Sequence, residues 1–329
     1  MSRTVLVTGG AGYVGSHACK ALAGAGYLPV TYDDLSTGNR WAVRWGPLEM
    51  GDVRDEGRIG EVIEAHAPVA ALHFAALALV GESVREPARY WRVNAGGVVS
   101  LLDACRARGV GAVVFSSTCA VYGEPERMPI AEDAPKAPVS PYGRSKLAAE
   151  QVLADYSAAY GLRHISLRYF NAAGADPEAE IGEERAVETH LVPLALDAVL
   201  GRRPPLRLMG EDYPTADGTA IRDYIHVSDL AEAHVRALDR LLGGGESVAL
   251  NLGTGRGHSV REVIAAAERV TGRPVPHESA PRRPGDPSEL VADPSRSRAL
   301  LGPDVTARST LDAILETAWA WHSRPGRGA

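Results

Sequence analysis

Gly9, Gly12 and Gly15 stand three residues apart in the segment VLVTGGAGYVG, directly after an apolar run. That spacing asks for a tight strand-to-helix turn, a backbone that can approach a pyrophosphate, and a helix packed close to a sheet. The helix N-terminus would then offer free N–H groups and partial positive charge to phosphate oxygens. Three glycines alone serve an ordinary turn equally well, and their position decides. A strand over Thr4–Val7 precedes them, a helix from Tyr13 to Ala25 follows, and a second strand over Pro29–Tyr32 ends in Asp33. Asp33 lies 18 residues beyond Gly15, where an acidic residue binds the adenosine ribose hydroxyls. A carboxylate there repels a 2′-phosphate, so NAD is expected rather than NADP. Asp34 beside it is the alternative, and Asp52 in MGDVRD is a further loop carboxylate.

The alternation continues. Strands are expected over Val69–Phe74, Ala112–Phe115 and Ile165–Arg168, with helices from Asn94 to Arg108 and from Tyr142 to Tyr160. Parallel neighbours need long crossovers, so strands separated by helices mean βαβ units and a parallel sheet. After Asn171 the texture changes to an acidic loop over Gly174–Glu188 and to segments rich in Pro and Arg around Arg202–Pro205 and Pro281–Pro287. The 329 residues suggest two domains at about 150 each. The expected fold is α/β, a Rossmann-type doubly wound parallel sheet over residues 1–175 with a smaller C-terminal α/β domain over 176–329. The chain is expected to return to the first domain at 222–240, where a strand-like IHV precedes the helical DLAEAHVRAL, and to fray over Ser323–Ala329.

Composition excludes several classes. The formal charge of −6 argues against a nucleic-acid binder. Ala65–Gly81, the longest uncharged apolar stretch, holds two His and a Pro, which suits a buried strand and not a membrane span. Cys19, Cys105 and Cys119 lack metal spacing and read as intracellular thiols. The ten His are scattered, so no metal centre is expected. A strand-like run starts almost at the first residue, so no secretory leader is expected.

PYGRSKLAAEQ places Tyr142 and Lys146 four apart, on one helix face. Tyr titrates near 10, and a cation one turn away favours the phenolate. Such a pair is also common on a solvated helix face. Lys occurs only at 20, 136 and 146, so 32 of the 35 basic residues are Arg. A face needing only charge would carry Arg here, and Lys146 suggests that a compact ammonium matters. Lys20 and Lys136 have no evident cause. Ser116, Ser117 and Thr118 follow an apolar strand, at the C-terminal end where open parallel sheets bind ligands. Thr118 or Ser116 could hydrogen-bond a substrate hydroxyl near Tyr142, or simply cap the strand.

TGGAGYVG, HFAALALVGESV, FSSTCAVYGE, SPYGRSKLAAE, LRYFNAAGA and DGTAIRDYIHVSDLAEAH occur in that order from Thr4 to about Trp321. Together they resemble the extended short-chain dehydrogenase/reductase superfamily and, within it, the UDP-glucose 4-epimerase family. The glycine loop and the Tyr/Lys pair carry only the superfamily. DGTAIRDYIHV and PRRPGD are more specific to nucleotide-sugar epimerases. The resemblance implies tightly held NAD, a UDP-sugar substrate, a homodimer and a cytoplasmic location. It implies that Tyr142 takes the proton of the sugar 4-hydroxyl while a hydride leaves C4 and later returns to the opposite face. Lys146 would bind the nicotinamide ribose and tune Tyr142, and Thr118 would hydrogen-bond the sugar. Gly9, Gly12, Tyr13, Val14, Gly15, Asp33, Asp52, Val53, Phe74, Ala75, Ala76, Asn94, Ser116, Tyr169 and Phe170 match cofactor-lining positions. Asn171, Leu191, Arg222, Tyr224, Arg283 and Asp286 match UDP-sugar positions, and an Arg fork suits a diphosphate.

The chain also departs from that pattern. Ala78 replaces a Lys, His190 an Asn, and Met209 a uracil-contacting Phe. Leu290 stands where relatives carry a bulky Tyr or a small residue that gates N-acetyl sugars, so N-acetylhexosamine, pentose or uronate substrates stay open. A nucleotide-sugar 4,6-dehydratase would carry an Asp–Glu pair after the strand-end Thr, where this chain has Cys119 and Ala120. A non-catalytic NAD-binding regulator would tolerate loss of Tyr142 or Lys146, and both are present.

Overall fold

The computed structural model describes residues 3–283 and 285–326. The expected frayed tail is therefore described only through Gly326, and its last three residues lie outside the described set. Six strands alternate with helices in the first half: β1 (Arg3–Thr8), β2 (Tyr27–Asp33), β3 (Leu48–Met50), β4 (Ala70–His73), β5 (Ala112–Thr118) and β6 (Arg163–Tyr169). Seven further strands follow: β7 (Asn171–Ala173), β8 (Leu206–Met209), β9 (Ile221–His226), β10 (Val248–Leu252), β11 (Gly257–Ser259), β12 (His277–Ala280) and β13 (Glu289–Leu290).

The large sheet has the order β10-β6-β5-β4-β1-β2-β3, and every pair in it is parallel. Side chains alternate across it as a strand requires. Val5 and Val7 pack on one face with Ala18 and Leu22 of the Tyr13–Gly24 helix and Leu230 and Leu238 of the Val227–Leu242 helix. Leu6 packs on the other face with Ile59, Leu101 and Leu153, from the helices Glu56–His66, Gly97–Ala107 and Pro141–Tyr160. Both faces are covered, which is the Rossmann-type doubly wound arrangement predicted from the sequence. Strand order reverses at β1, which lies between β2 and β4. That reversal opens a crevice beyond the C-terminal ends of the strands.

Residues 222–240, expected to return to the first domain, divide between two settings. The Val227–Leu242 helix packs beside the Tyr13–Gly24 helix. The strand before it, β9, pairs with β7, β11 and β13 in a small separate sheet. The strand that rejoins the large sheet is β10, parallel to β6. The apolar run at Ile225–Val227 signals burial in both cases, but it does not say against which sheet. A third core joins Val192 and Leu196 to Leu208, Val263, Ile314 and Leu315. β8 and β12 pair beside it.

Candidate active site

The glycine loop sits at the reversal. Gly9 has φ +74°, a conformation that L side chains rarely adopt. A Cβ there would lie 2.5 Å from the Ala75 nitrogen, and one on Gly15 would lie 2.1 Å from the Gly9 carbonyl oxygen. These two glycines answer to the protein's own packing. Gly12 differs. A Cβ built on it would meet only the Gly9 oxygen, at 3.3 Å, and its φ of −80° is ordinary. Its open side leaves room beside the free N–H groups at the helix start.

Asp33 ends β2 and is 8% exposed. Its Oδ2 accepts from Ala11 N at 3.0 Å and its Oδ1 from Leu35 N at 2.9 Å. Burial raises its pKa, with the two backbone donors pulling the other way. Asp34 is exposed and accepts from Ser36 N, so Asp33 is the carboxylate at the loop. The Asp52 carboxylate is taken by Arg54, and its carbonyl accepts from Tyr32 Oη at 2.8 Å. Val53 packs against Gly97, where a Cβ would lie 2.7 Å from its Cγ1.

The other expected cofactor positions divide between lining and bracing. Tyr13 donates its hydroxyl to Gly174 O at 2.7 Å, and Val14 packs into the core under the loop. The nitrogens of Phe74 and Ala75 both donate to Thr8 O, which draws the end of β4 against the loop, and half-buried Ala76 follows. Asn94 lies in a π-helical turn, Trp91–Gly96. Its side chain is committed to Leu77 N and O and to Ser145 Oγ, so it pins the segment after β4 to the Pro141–Tyr160 helix.

Ser140 caps that helix with Pro141 at its first turn, which sets Tyr142 at the end of β5. Burial pushes the Tyr142 phenol well above its usual value, and a hydrogen bond with Thr118 opposes the shift. Its electrical neighbours are Tyr169, Cys119 and Tyr90. Lys146, expected to lower the phenol, instead donates to Ser116 O at 2.8 Å and lies 4.7 Å above the Phe115 ring. Burial pulls Lys146 down to about 7, with Glu150 opposing. The protein alone therefore keeps the phenol protonated and poises the amine between its two states. Ser116 Oγ and Tyr169 Oη share a hydrogen bond of 2.6 Å, and Thr118 is the register partner of Tyr169.

Sequence reasoning missed what stands behind this pair. Glu150, one turn beyond Lys146, holds the Arg168 guanidinium in a buried ion pair and also takes the Ser117 hydroxyl. Arg168 Nη1 donates to Tyr122 Oη at 2.9 Å. One carboxylate thus ties the helix carrying Tyr142 to the strands carrying Ser116, Thr118 and Tyr169. The Y-x-x-x-K-x-x-x-E spacing was its available signal. Asp223 was missed as well. Fully buried, it accepts from the backbone of Thr254, Gly255 and Ala292.

Several of the expected substrate positions, Asn171, Arg222, Tyr224, Asp286 and Leu290, lie on or beside β9. Arg222 is 12% exposed at its side chain; it pairs with Asp286 and donates to Pro287 O at 2.8 Å and Ile221 O at 2.7 Å. Its charge reaches the Cys119 thiol next to Thr118. Tyr224 is the register partner of Asn171, and Leu290 that of Arg222. Leu290 packs with Phe170, Cys119 and Tyr122. Leu191 opens the Leu191–Val199 helix and packs on the third core, and Met209 ends β8. Arg283 is exposed, and its carbonyl accepts from Asp286 N at 3.2 Å. His190 lies 2.8 Å from Glu183, whose charge raises the imidazole's pKa. Glu183, Glu188 and His190 come close enough to share an ion, but the Arg185 guanidinium already occupies Glu183.

Comparison with known proteins agrees in detail. Residues 5–253 match the NAD dependent epimerase/dehydratase family. A UDP-glucose 4-epimerase of Rhizobium meliloti (strain 1021) is 54% identical over 327 residues, covering 99% of both chains. The crystal structure of UDP-glucose 4-epimerase from Brucella ovis in complex with NAD is 54% identical, with a TM-score of 0.94 over 97% of this chain and 98% of that one. The enzyme from Bifidobacterium longum in complex with NAD+ and UDP is 36% identical, with a TM-score of 0.93 over 99% and 100%. Glycine loop, strand-end hydroxyls, Tyr/Lys helix and whole-chain likeness converge: the chain belongs to the NAD-dependent epimerase/dehydratase family, on its UDP-glucose 4-epimerase branch.

Proposed function

We propose that this chain interconverts UDP-glucose and UDP-galactose by reversible 4-epimerisation on tightly held NAD. The observation that carries it is Tyr142, a half-buried phenol beside Thr118 at a strand end, with the buried amine of Lys146 one turn away. NAD fits the cleft: Gly12 leaves space at the helix N-terminus, Asp33 stands at the loop, and Lys146 has donor capacity beyond Ser116 O. When bound, NAD supplies a reversible hydride acceptor for the sugar C4, which makes that carbon planar and lets it be rebuilt in either configuration. Tyr142 takes the 4-hydroxyl proton and returns it. Lys146, when protonated, holds the positive charge that offsets the developing phenolate, although burial draws its pKa down. Thr118 orients the hydroxyl. Arg222, braced by Asp286, meets the diphosphate. Cys119, held as a neutral thiol with its pKa pushed up to about 12 by burial, and Ala120 supply no acid for dehydration.

The deciding assay is turnover of UDP-galactose by purified protein, with UDP-N-acetylgalactosamine and UDP-arabinose alongside to find what Leu290 admits. No epimerisation of any of the three would reject the reading. A second test isolates the loop. Gly12→Val adds a side chain at an ordinary φ whose one close neighbour is the Gly9 oxygen, so thermal stability should fall by no more than about 1–2 kcal/mol while NAD no longer co-purifies. Retained NAD in that variant would move the phosphate site elsewhere.

The same reading includes a homodimer in the cytoplasm. Exposed Val80, Val84, Trp91 and Val99 support the first, and three buried, unpaired cysteines the second. Sedimentation at micromolar concentration tests the dimer. No helix among the described residues is long and apolar enough to cross a membrane.

A further inference from the structure

We propose that Lys20 latches a strap, residues 174–184, which closes over the glycine loop and sets how slowly the dinucleotide leaves. The inference rests on reading the cleft as an NAD site. One end of the strap is bolted to the loop by Tyr13 Oη, which donates to Gly174 O at 2.7 Å. The other end is bolted by Asn39 Nδ2, which donates to Glu184 O at 3.0 Å. Asn39 is itself fixed to the loop through its backbone nitrogen, 2.8 Å from Ala11 O. Ala11 precedes Gly12 and Tyr13 follows it, so the strap lands on both sides of the glycine that leaves room for phosphate.

Between these ends sits Lys20. Its Nζ donates to Asp176 at 2.8 and 2.9 Å, to Glu178 at 2.6 Å and to Glu180 at 2.8 Å. This accounts for a lysine in an arginine-rich chain. A compact ammonium with rotatable donors can serve oxygens from three residues, whereas a planar guanidinium is built for one or two. Arg44 adds a bond to Glu180 O at 3.1 Å. Trp321 Nε1 donates to Glu183 O at 3.2 Å, and a Cβ on Gly182 would lie 2.4 Å from the Trp321 ring. The strap is therefore seated against the protein and acidic along its length. Oxygens of Asp176, Glu178 and Glu180 lie within 4.8 Å of one another. Without Lys20 they repel, so its loss releases the strap and does not simply delete one contact.

The test compares wild type with Lys20→Met, both purified with NAD. Two quantities are read: NAD remaining after timed dialysis, and amide hydrogen exchange over residues 174–184. Loss of a charge-assisted cluster is expected to speed NAD loss and strap exchange by roughly ten- to a hundredfold, while kcat at saturating NAD stays near wild type. Lys20 and Glu178 are partly exposed, so salt should speed NAD loss from wild type by screening the attraction, and slow it from Lys20→Met by screening the carboxylate repulsion. A purely structural role would produce no such salt signature. Adding Glu178→Gln and Glu180→Gln to Lys20→Met removes the repulsion and should recover part of the retention. Equal NAD retention at every salt, or unchanged exchange over 174–184, overturns the latch. Wild type that binds no NAD overturns the reading of the cleft instead, and the exchange data still decide the strap.

Discussion

Tyr142→Phe should lower kcat for UDP-galactose by about 10³-fold, within the 10²–10⁴ contributed by a positioned acid–base group. That corresponds to about 4 kcal/mol of transition-state stabilisation. The substitution removes one oxygen and keeps the ring, so the edge contact with Tyr90, at 6.5 Å and 85°, survives. Thr118, the hydroxyl beside the phenol, keeps its bond from Ala120 N. Stability should therefore change by no more than about 1 kcal/mol, and NAD should still co-purify. Lys146 keeps its bond to Ser116 O in the variant, so loss of rate cannot be assigned to a displaced amine. Activity within tenfold of wild type would remove Tyr142 from proton transfer and leave the proposed chemistry without a base.

The glycine loop was legible because its demand is local. Gly9 and Gly15 are required by atoms a few residues away or on the adjoining strand, and a strand–turn–helix of this kind can be recognised from a dozen residues. The Tyr/Lys pair was legible because helix geometry fixes residues four apart. The electrical relation between them was not. The burial that raises Tyr142 and lowers Lys146 is a property of the assembled site. Lys20 shows the same limit at longer range. In sequence it was a lysine without a cause, and its partners lie 156 to 160 residues away. Arg168 and Glu150 were both visible as charged residues, but only the packing of helix on strand makes them a buried pair. The apolar pattern at Ile225–Val227 promised burial, and β-sheet partnership had to come from the fold.

The ten histidines that showed no metal spacing predict a large effect of another kind. His17, His226 and His234 are each lowered to about 4 and His73 to about 3, in every case chiefly by burial. His17 Nδ1 donates to Tyr13 O and His234 Nδ1 to Leu230 O, while His73 Nδ1 shares a hydrogen bond with Thr8. In all three the buried Nε2 has no partner, so a proton placed there would carry a charge that nothing solvates. His226 uses both nitrogens, on Ser228 N and Thr317 Oγ1, which leaves it neutral as well. The folded chain therefore binds these protons only near pH 4 or below, whereas an unfolded histidine binds near 6.5. Stability from each group is fully present above 6.5 and is lost as pH falls toward its folded value. Each shift of that size is worth about 3 kcal/mol. With all four titrating together, unfolding free energy should fall by about 5 kcal/mol per pH unit between roughly 6 and 4.5. His190 is shifted upward, and burial raises Asp33, Asp223 and Asp229, so these groups act against the trend. Denaturant unfolding across that range measures the slope. Replacing His234, which packs 4.6 Å from the Phe74 ring, by Gln should remove about a quarter of it. A slope below one proton per molecule would mean that the imidazoles charge inside the folded protein, and that the cleft around Phe74 and Tyr169 is open to water.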